Sequence, residues 1–399
     1  VAIYEGNRHF GCLEGPRIYR LGDYYYLLTA EGGTGYGHAV LVSRSASLTG
    51  PYEPSPYNPL LTSRKNPHPR ALDYDPDYLK SRFYNPEVSL QKAGHGALVD
   101  TPDGEWYLTH LCARPLRPSL RSTLGRETAI QRIEWSADGW PRLAGGGVHP
   151  SVHVSVPHRL QEGHSGATES RATGAPPAAG QGRATAGERT SFGEVSTIPP
   201  IYHALRVPIE ESWASLTRNP GRLSIRGRDS LYSYDTQSLI ARRIQHFTFQ
   251  AETELIFLPR HYQEMAGLIC LFSTRTWYYL RLYLSETHGV PTLGIMASRN
   301  EEPEELLEHR VPLTPPSAPA PAPRVRLRVE VEETILRFLY DDGAGWSRIG
   351  PELDATILAD EFSNQGAGAF SGAFVGMCVQ DLRDKASWAE FEYFSYRGD

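Results

Sequence analysis

Lysine is almost missing from this chain of 399 residues: Lys65, Lys80, Lys92 and Lys385 are the only four among 40 basic residues. The rest are arginines, scattered among 46 acidic residues for a net charge of −6. No basic block forms, which argues against a nucleic-acid partner. Cysteine is sparse too. Cys12, Cys112, Cys270 and Cys378 lie far apart, with neither a disulfide framework nor the CxxC or Cys/His spacing of a zinc site. They read as small buried apolar residues, compatible with a reducing compartment, and lean localisation toward the cytoplasm. Long apolar runs are absent: no window approaches ~18 consecutive apolar residues, so neither a membrane-spanning helix nor a membrane partner is expected. No charged segment followed by an apolar stretch opens the chain. Val1 rather than Met stands first, so the chain is expected to begin downstream of its translation start. The GxSxG nucleophile elbow, the HExxH metal motif and the dinucleotide fingerprint are all missing.

What is present is 40% hydrophobic and 11% aromatic, ordinary for a globular chain whose length suits two or three domains. From Gln161 to Ser191 there is no Val, Ile, Leu, Met, Phe, Tyr, Trp or Cys. Such a stretch cannot bury enough apolar area to offset its ordering entropy. A disordered linker is therefore expected over 161–198, between a domain at 1–160 and one at 199–399. A second biased stretch, PLTPPSAPAPAP at 312–323, reads as an extended insertion within the later domain.

Both flanks are β-rich. Phe249, Ala251, Thr253 and Leu255 alternate with Thr248, Gln250, Glu252 and Glu254, and Val325, Leu327, Val329 and Val331 alternate with Arg326, Arg328 and Glu330. That period of two predicts strands with one dry face and one wet face; Tyr278, Leu280, Leu282 and Leu284 repeat it. Asp341-Asp342-Gly343 predicts a hairpin joining 335–340 to 346–349. Many short strands without helical periodicity indicate an antiparallel β-sandwich. In the first half, Gly22-Asp23, Asp103-Gly104 and Asp138-Gly139 each precede an aromatic segment. Aromatic hairpins at such intervals fit propeller blades, though a second sandwich fits nearly as well.

Three places hold residue types suited to chemistry. Glu14 stands before a Gly-Pro turn that leads into an aromatic strand, where burial would raise a carboxyl pKa toward that of a general acid. On spacing alone, a solvated turn residue is the plainer reading. The loop from Thr29 to Val40 carries Thr34 and His38 among closely spaced glycines that let a ligand approach the backbone. His95, between Gly94 and Gly96, and Arg126, after Gly125, are each equally readable as structural hydrogen-bonding residues. Exposed aromatics such as Trp213, Trp277 and Trp388 would stack on sugar rings, or else pack in the core.

Read in order, EGPRIY at Glu14, YYYLLTAEGGTGYGHAV at Tyr24, GPYEPSPYNPLLTSR at Gly50, QKAGHG at Gln91, WYLTHLCARPL at Trp106 and LGRETAIQRIEW at Leu124 resemble the β-xylosidase branch of glycoside hydrolase family 43. QSLIARRIQHFTFQAETEL at Gln237 and GAFVGMCVQDL at Gly372 resemble the concanavalin-like domain of that branch. The resemblance implies an all-β chain: the C-terminal blades of a five-bladed β-propeller, then a concanavalin-like antiparallel β-sandwich. It implies an exo-acting, inverting β-xylosidase on xylo-oligosaccharides, and allows α-L-arabinofuranosidase activity as well. Glu14 matches the general acid. His95 and Arg126 match residues lining the sugar site, and Thr34 and His38 match its rim. Inversion needs two carboxyl groups about 6.5–9.5 Å apart.

The chain departs from the family pattern in one large respect. The general-base Asp and the Asp that tunes the acid precede EGP in the family, but only 13 residues precede Glu14 and none is Asp. The chain is therefore expected to be N-terminally truncated, without its base or about half of the propeller, and nearly inert by itself. Arg17 for the usual His and Ala97 for a frequent acidic residue are smaller departures. The acid/base mechanism needs no cofactor; the resemblance allows a calcium ion near His95. A homo-oligomer is expected of the full-length protein, and self-association of an open half-propeller. The alternative function is a noncatalytic carbohydrate-binding or scaffold protein.

Overall fold

The computed structural model describes residues 2–74, 82–157, 187–313, 322–363 and 371–399. They fall into two compact units: residues 2–115 with 126–157, and Leu116–Gly125 with the described residues from 187 onward.

The first unit is two antiparallel sheets. One joins β1 (Glu14–Leu21), β2 (Tyr24–Glu31), β3 (Ala39–Ser45) and β4 (Glu53–Pro54) in sequence order, with β5 (Leu61–Thr62) also on β3. The other runs β6 (Gln91–Asp100), β7 (Trp106–Ala113), β8 (Glu127–Trp135) and β9 (Pro141–Leu143). Each sheet is a meander of the propeller-blade kind, and the three Gly/Asp turns read from the sequence link β1 to β2, β6 to β7 and β8 to β9. Leu28, Val40 and Val42 of one sheet pack with Ala93, Leu98, Leu108 and Ile133 of the other in a single core. Aromatic edges extend it. The Tyr26 hydroxyl donates to Gly139 O at 2.6 Å, and the Arg44 guanidinium lies over the Trp140 ring, 4.1 Å from its centroid.

The second unit is a sandwich of an eight-stranded and a seven-stranded antiparallel sheet. Thr248–Ile256 is central to the first, between Arg324–Glu332 and Trp388–Gly398. Glu264–Ser273 is central to the second, between Thr276–Leu284 and Phe374–Asp381. Leu327, Val329 and Phe391 meet Leu268, Leu280 and Ile240 in the core between them. The Asp341 hairpin forms as expected: Ile335–Asp341 pairs with Ser347–Asp354, and the Asp341 carboxylate accepts the Gly343 and Gly345 amides.

Three expectations change. Thr276–Leu284 has no wet face, because Trp277 and Tyr279 join Leu239, Ile269 and Leu271 in a second core on the outer side of that sheet. Trp213 and Trp277 are accordingly buried, and Trp388 is half-buried beneath the Arg218 guanidinium. Glu188–Ser191, placed by composition inside the 161–198 linker, is a strand on Trp388–Gly398. Backbone pairing at an edge needs no apolar side chain, and Phe192, the next residue, enters the core. Residues 158–186 lie outside the described residues. Pro312, the first residue of the proline-rich stretch, ends the short strand Val311–Pro312, an edge position that proline tolerates; residues 314–321 lie outside the described residues.

No helix among the described residues is long and apolar enough to cross a membrane. The four cysteines are free: Cys12 is exposed, while Cys112, Cys270 and Cys378 are buried. Burial pushes the Cys112 and Cys378 thiols up to about 12. Ellman's reagent is therefore expected to titrate one thiol promptly in the native chain and the other three only after denaturation.

Candidate active site

The five residues singled out in the sequence all fall in the first unit: His38, His95 and Arg126 form a cluster, Thr34 accepts from Arg126, and Glu14 stands on the turn beside His95. Glu14 begins β1 opposite Ala30, and the β1–β2 register breaks between Glu14 and Arg17 at the Gly-Pro turn. The break leaves the Glu14 side chain exposed, with no hydrogen bond or ion pair among the described residues. His95 lies on β6, whose pairing with β7 shifts twice, before and after Gly94. Lys92 (φ 54°) and His95 (φ 52°) both take left-handed backbone, a conformation costing of order 1–3 kcal/mol that surrounding structure must enforce. The irregular pairing re-aims the side chains, turning Lys92 into the interior and His95 outward.

Two glycines make the cluster possible by close approach. A Cβ on Gly15 would lie 2.7 Å from His95 Nε2, and one on Gly94 would lie 2.3 Å from His38 Cγ. The His95 imidazole therefore rests on the residue next to Glu14, and the His38 imidazole rests on the residue before His95. The two rings meet edge to face, with centroids 6.5 Å apart. Arg126, immediately before β8, donates from Nη2 to Thr34 O at 2.9 Å. His95 is exposed, Thr34 and Arg126 are half-buried, and His38 is fully buried. His38 thus lies beneath the surface rather than on the rim expected for it.

His38 Nδ1 donates to Lys92 O at 3.2 Å, since a carbonyl only accepts. Nε2 is then the unprotonated nitrogen, buried and without a hydrogen-bond partner among the described residues. Burial, with the charges of Arg126, His95 and His110 acting the same way, holds His38 down to about 3. An unfolded histidine binds its proton near 6.5. The depressed folded value therefore contributes stability above 6.5, and that stability is lost as pH falls from 6.5 toward 3. Between pH 7 and pH 5 the His38 contribution should fall by about 2 kcal/mol. Urea unfolding of wild type and His38→Asn at both values checks this: the variant should lose less stability on acidification, and equal losses would contradict it.

Sequence reasoning missed several neighbours. Lys92 is completely buried, its ammonium 5.2 Å from the Tyr36 ring centroid. His110 is buried with its pKa lowered by that burial; it donates from Nδ1 to Leu111 O and accepts from Gln131 Nε2 at 3.3 Å. Glu31 is buried, its carboxyl raised by desolvation and held by Asn7 N and the Thr29 hydroxyl. Lys92 left a signal, being one of four lysines and adjoining the Gly-His-Gly turn, and Glu31 lay in the Thr29–Val40 segment already singled out; His110, inside a regular strand, left none. Two cavities of this unit, about 380 Å³ and 510 Å³, are lined instead by residues such as Gln131, His149 and Ser151, and Cys112, Arg114 and Glu127. None of Glu14, His38, His95 or Arg126 lines either.

A guanidinium, an exposed imidazole and an exposed carboxylate suit a neutral ligand rich in hydroxyl groups. They do not suit calcium, which takes six to eight oxygen ligands. Among the described residues no group of three or more His, Cys, Asp or Glu is placed to hold a metal ion.

Residues 1–141 match the family model "Glycosyl hydrolases family 43", and residues 189–397 match "Beta xylosidase C-terminal Concanavalin A-like domain". The chain is 37% identical to "Putative beta-xylosidase" of Escherichia coli K12, over 96% of this chain and 65% of that protein. It is equally identical to "Xylosidase/arabinosidase 43B" of Humicola insolens, over 96% of this chain and 64% of the relative. The solved structure of xylan beta-1,4-xylosidase from Bacillus halodurans C-125 superposes with a TM-score of 0.81 at 37% identity, covering 99% of this chain and 66% of that one. The chain spans about two thirds of the length of these proteins.

Proposed function

The chain belongs to glycoside hydrolase family 43, and on that footing we propose that the protein is an exo-acting β-xylosidase, with α-L-arabinofuranosidase as a secondary activity, trimming pentoses from xylo-oligosaccharides by inversion. The observation that carries this reading is the contact of Gly15 with His95. It sets the turn bearing Glu14 beside the cluster of His95, His38 and Arg126.

In this reading Glu14 is the general acid that protonates the departing glycosidic oxygen. Its exposed position lets it meet a leaving group arriving from solvent. Arg126 and His95 donate hydrogen bonds to the hydroxyls of the terminal pentose. Thr34 fixes the Arg126 guanidinium through its carbonyl, and His38, kept neutral by burial, supports His95 from below. Inversion also needs a carboxylate that activates water on the opposite face of the sugar. We assign that general-base role to no residue of the chain described here. The names of the relatives, xylosidase and xylosidase/arabinosidase, support the substrate class.

The test uses the natural full-length protein with xylobiose, an aryl β-xyloside and an aryl α-arabinofuranoside. Hydrolysis of xylobiose should release α-xylose first, seen by proton NMR before mutarotation. First-formed β-xylose would overturn the inverting mechanism. Binding of xylobiose without hydrolysis would replace the enzyme reading with a noncatalytic carbohydrate-binding protein.

A further inference from the structure

One end of the eight-stranded sheet holds a cavity of about 800 Å³, lined among the described residues only by residues of the sandwich unit. The start of Trp388–Gly398, the end of Thr248–Ile256 and the turn between Ala214–Ser215 and Leu223–Arg226 all contribute to it. Two of its loops are fixed by buried carboxylates. Asp381, with no exposed surface, accepts the amides of Arg383, Asp384, Ala386 and Ser387. Glu264, also buried, accepts the Arg260 amide at 2.7 Å. Arg383 and Arg260 are thereby held in the cavity wall on fixed backbone. Neither makes an ion pair among the described residues, nor does Arg218, whose guanidinium lies over the Trp388 ring, 4.3 Å from its centroid. A guanidinium stacked by its flat face keeps its in-plane N–H groups free, in the fork that a carboxylate fills. At the residue before Trp388, Ser387 Oγ is buried with no hydrogen-bond partner among the described residues.

The charge balance narrows the ligand. Arg218, Arg222, Arg260 and Arg383 share the wall with Glu264, Asp384 and Glu390, one positive charge in excess. That is too little for a polyanion such as a nucleic acid, and it matches a ligand with a single negative charge. A bare inorganic anion would leave most of the volume, the Trp388 ring and the Ser387 hydroxyl unused. A sugar ring carrying one carboxylate uses all of them: its charge on the guanidinium groups, its apolar face against Trp388, its hydroxyls on Ser387. We infer that this cavity is a second saccharide site, taking a uronate sugar borne on a short pentose chain. The inference goes beyond the reading above and borrows from it only the pentose chain.

The test is calorimetric titration of the natural full-length protein, carrying Glu14→Gln to slow hydrolysis. The probes are xylotriose bearing one glucuronic acid, plain xylotriose, and inorganic phosphate. Arg260→Gln combined with Arg383→Gln should weaken the acidic oligosaccharide about tenfold or more and leave plain xylotriose within about twofold. Trp388→Ala should weaken the acidic oligosaccharide about threefold or more. Arg260 and Arg383 are exposed, so the double variant should fold with an unchanged melting temperature. With Glu14 restored, its kcat/KM on an aryl β-xyloside should stay within about twofold of wild type. Equal affinity for the two oligosaccharides, or no change in the arginine variant, would overturn the inference. Phosphate binding as tightly as the acidic oligosaccharide at the same arginines would also overturn it, leaving a simple oxyanion site. Failure of the reading above would show instead as an aryl xyloside that the wild-type protein does not cleave, whatever the titrations give.

Discussion

Replacing Glu14 with glutamine is expected to lower kcat/KM on xylobiose by about 10²–10⁴-fold, the usual worth of a positioned general acid. The loss should depend on the leaving group. Xylose departing as an alkoxide needs a proton in the transition state, whereas dinitrophenolate leaves without one, so an activated aryl xyloside should lose about tenfold or less. Stability should hardly move, because Glu14 is exposed and makes no ion pair or hydrogen bond among the described residues; exposed substitutions of this kind stay within about 0.5 kcal/mol. A merely structural carboxylate would give the opposite signature, with a lowered melting temperature and equal losses on both substrates.

Gly94→Ala should be nearly as damaging for a different reason. The added Cβ would sit 2.3 Å from His38 Cγ and 2.4 Å from Cδ2. The His38 ring has nowhere to go, being fully buried and tied through Nδ1 to Lys92 O. Overpacking of this kind costs about 1–3 kcal/mol, and moving a supporting ring by an ångström costs about 10² in rate. Gly104→Ala is the control. Gly104 lies in the β6–β7 turn at φ +79° with nothing within 4 Å of an added Cβ, so strain of about 1–2 kcal/mol is the whole expected cost. Denaturant melts should therefore show both variants destabilised, and kinetics should show only Gly94→Ala impaired. Wild-type kcat/KM in Gly94→Ala would show that His38 and His95 do not need their present placement.

The β-strands of both units were legible because a period-2 pattern is enforced wherever one face of a sheet is buried. Thr248–Ile256 and Arg324–Glu332 follow it closely. Thr276–Leu284 was misread as one-sided because Tyr278, Leu280, Leu282 and Leu284 keep the period of two, whereas a second core also covers the side that carries Trp277 and Tyr279. Glu188–Ser191 was invisible to composition, since an edge strand is held by its backbone and its ERTS sequence has no apolar residue. In the candidate site the motif order placed Glu14, Thr34, His38, His95 and Arg126 in one unit. It did not foretell that His38 would be buried under His95, because that follows from two missing Cβ atoms and two left-handed backbone positions.

A crystal structure of the Glu14→Gln variant of the natural full-length protein, soaked with xylobiose, addresses the central claim most directly. The terminal xylose should lie within hydrogen-bonding distance of both Arg126 and His95, with the substituted side-chain amide at the interglycosidic oxygen. Xylobiose bound elsewhere, or turned so that its glycosidic oxygen points away from residue 14, would contradict the account.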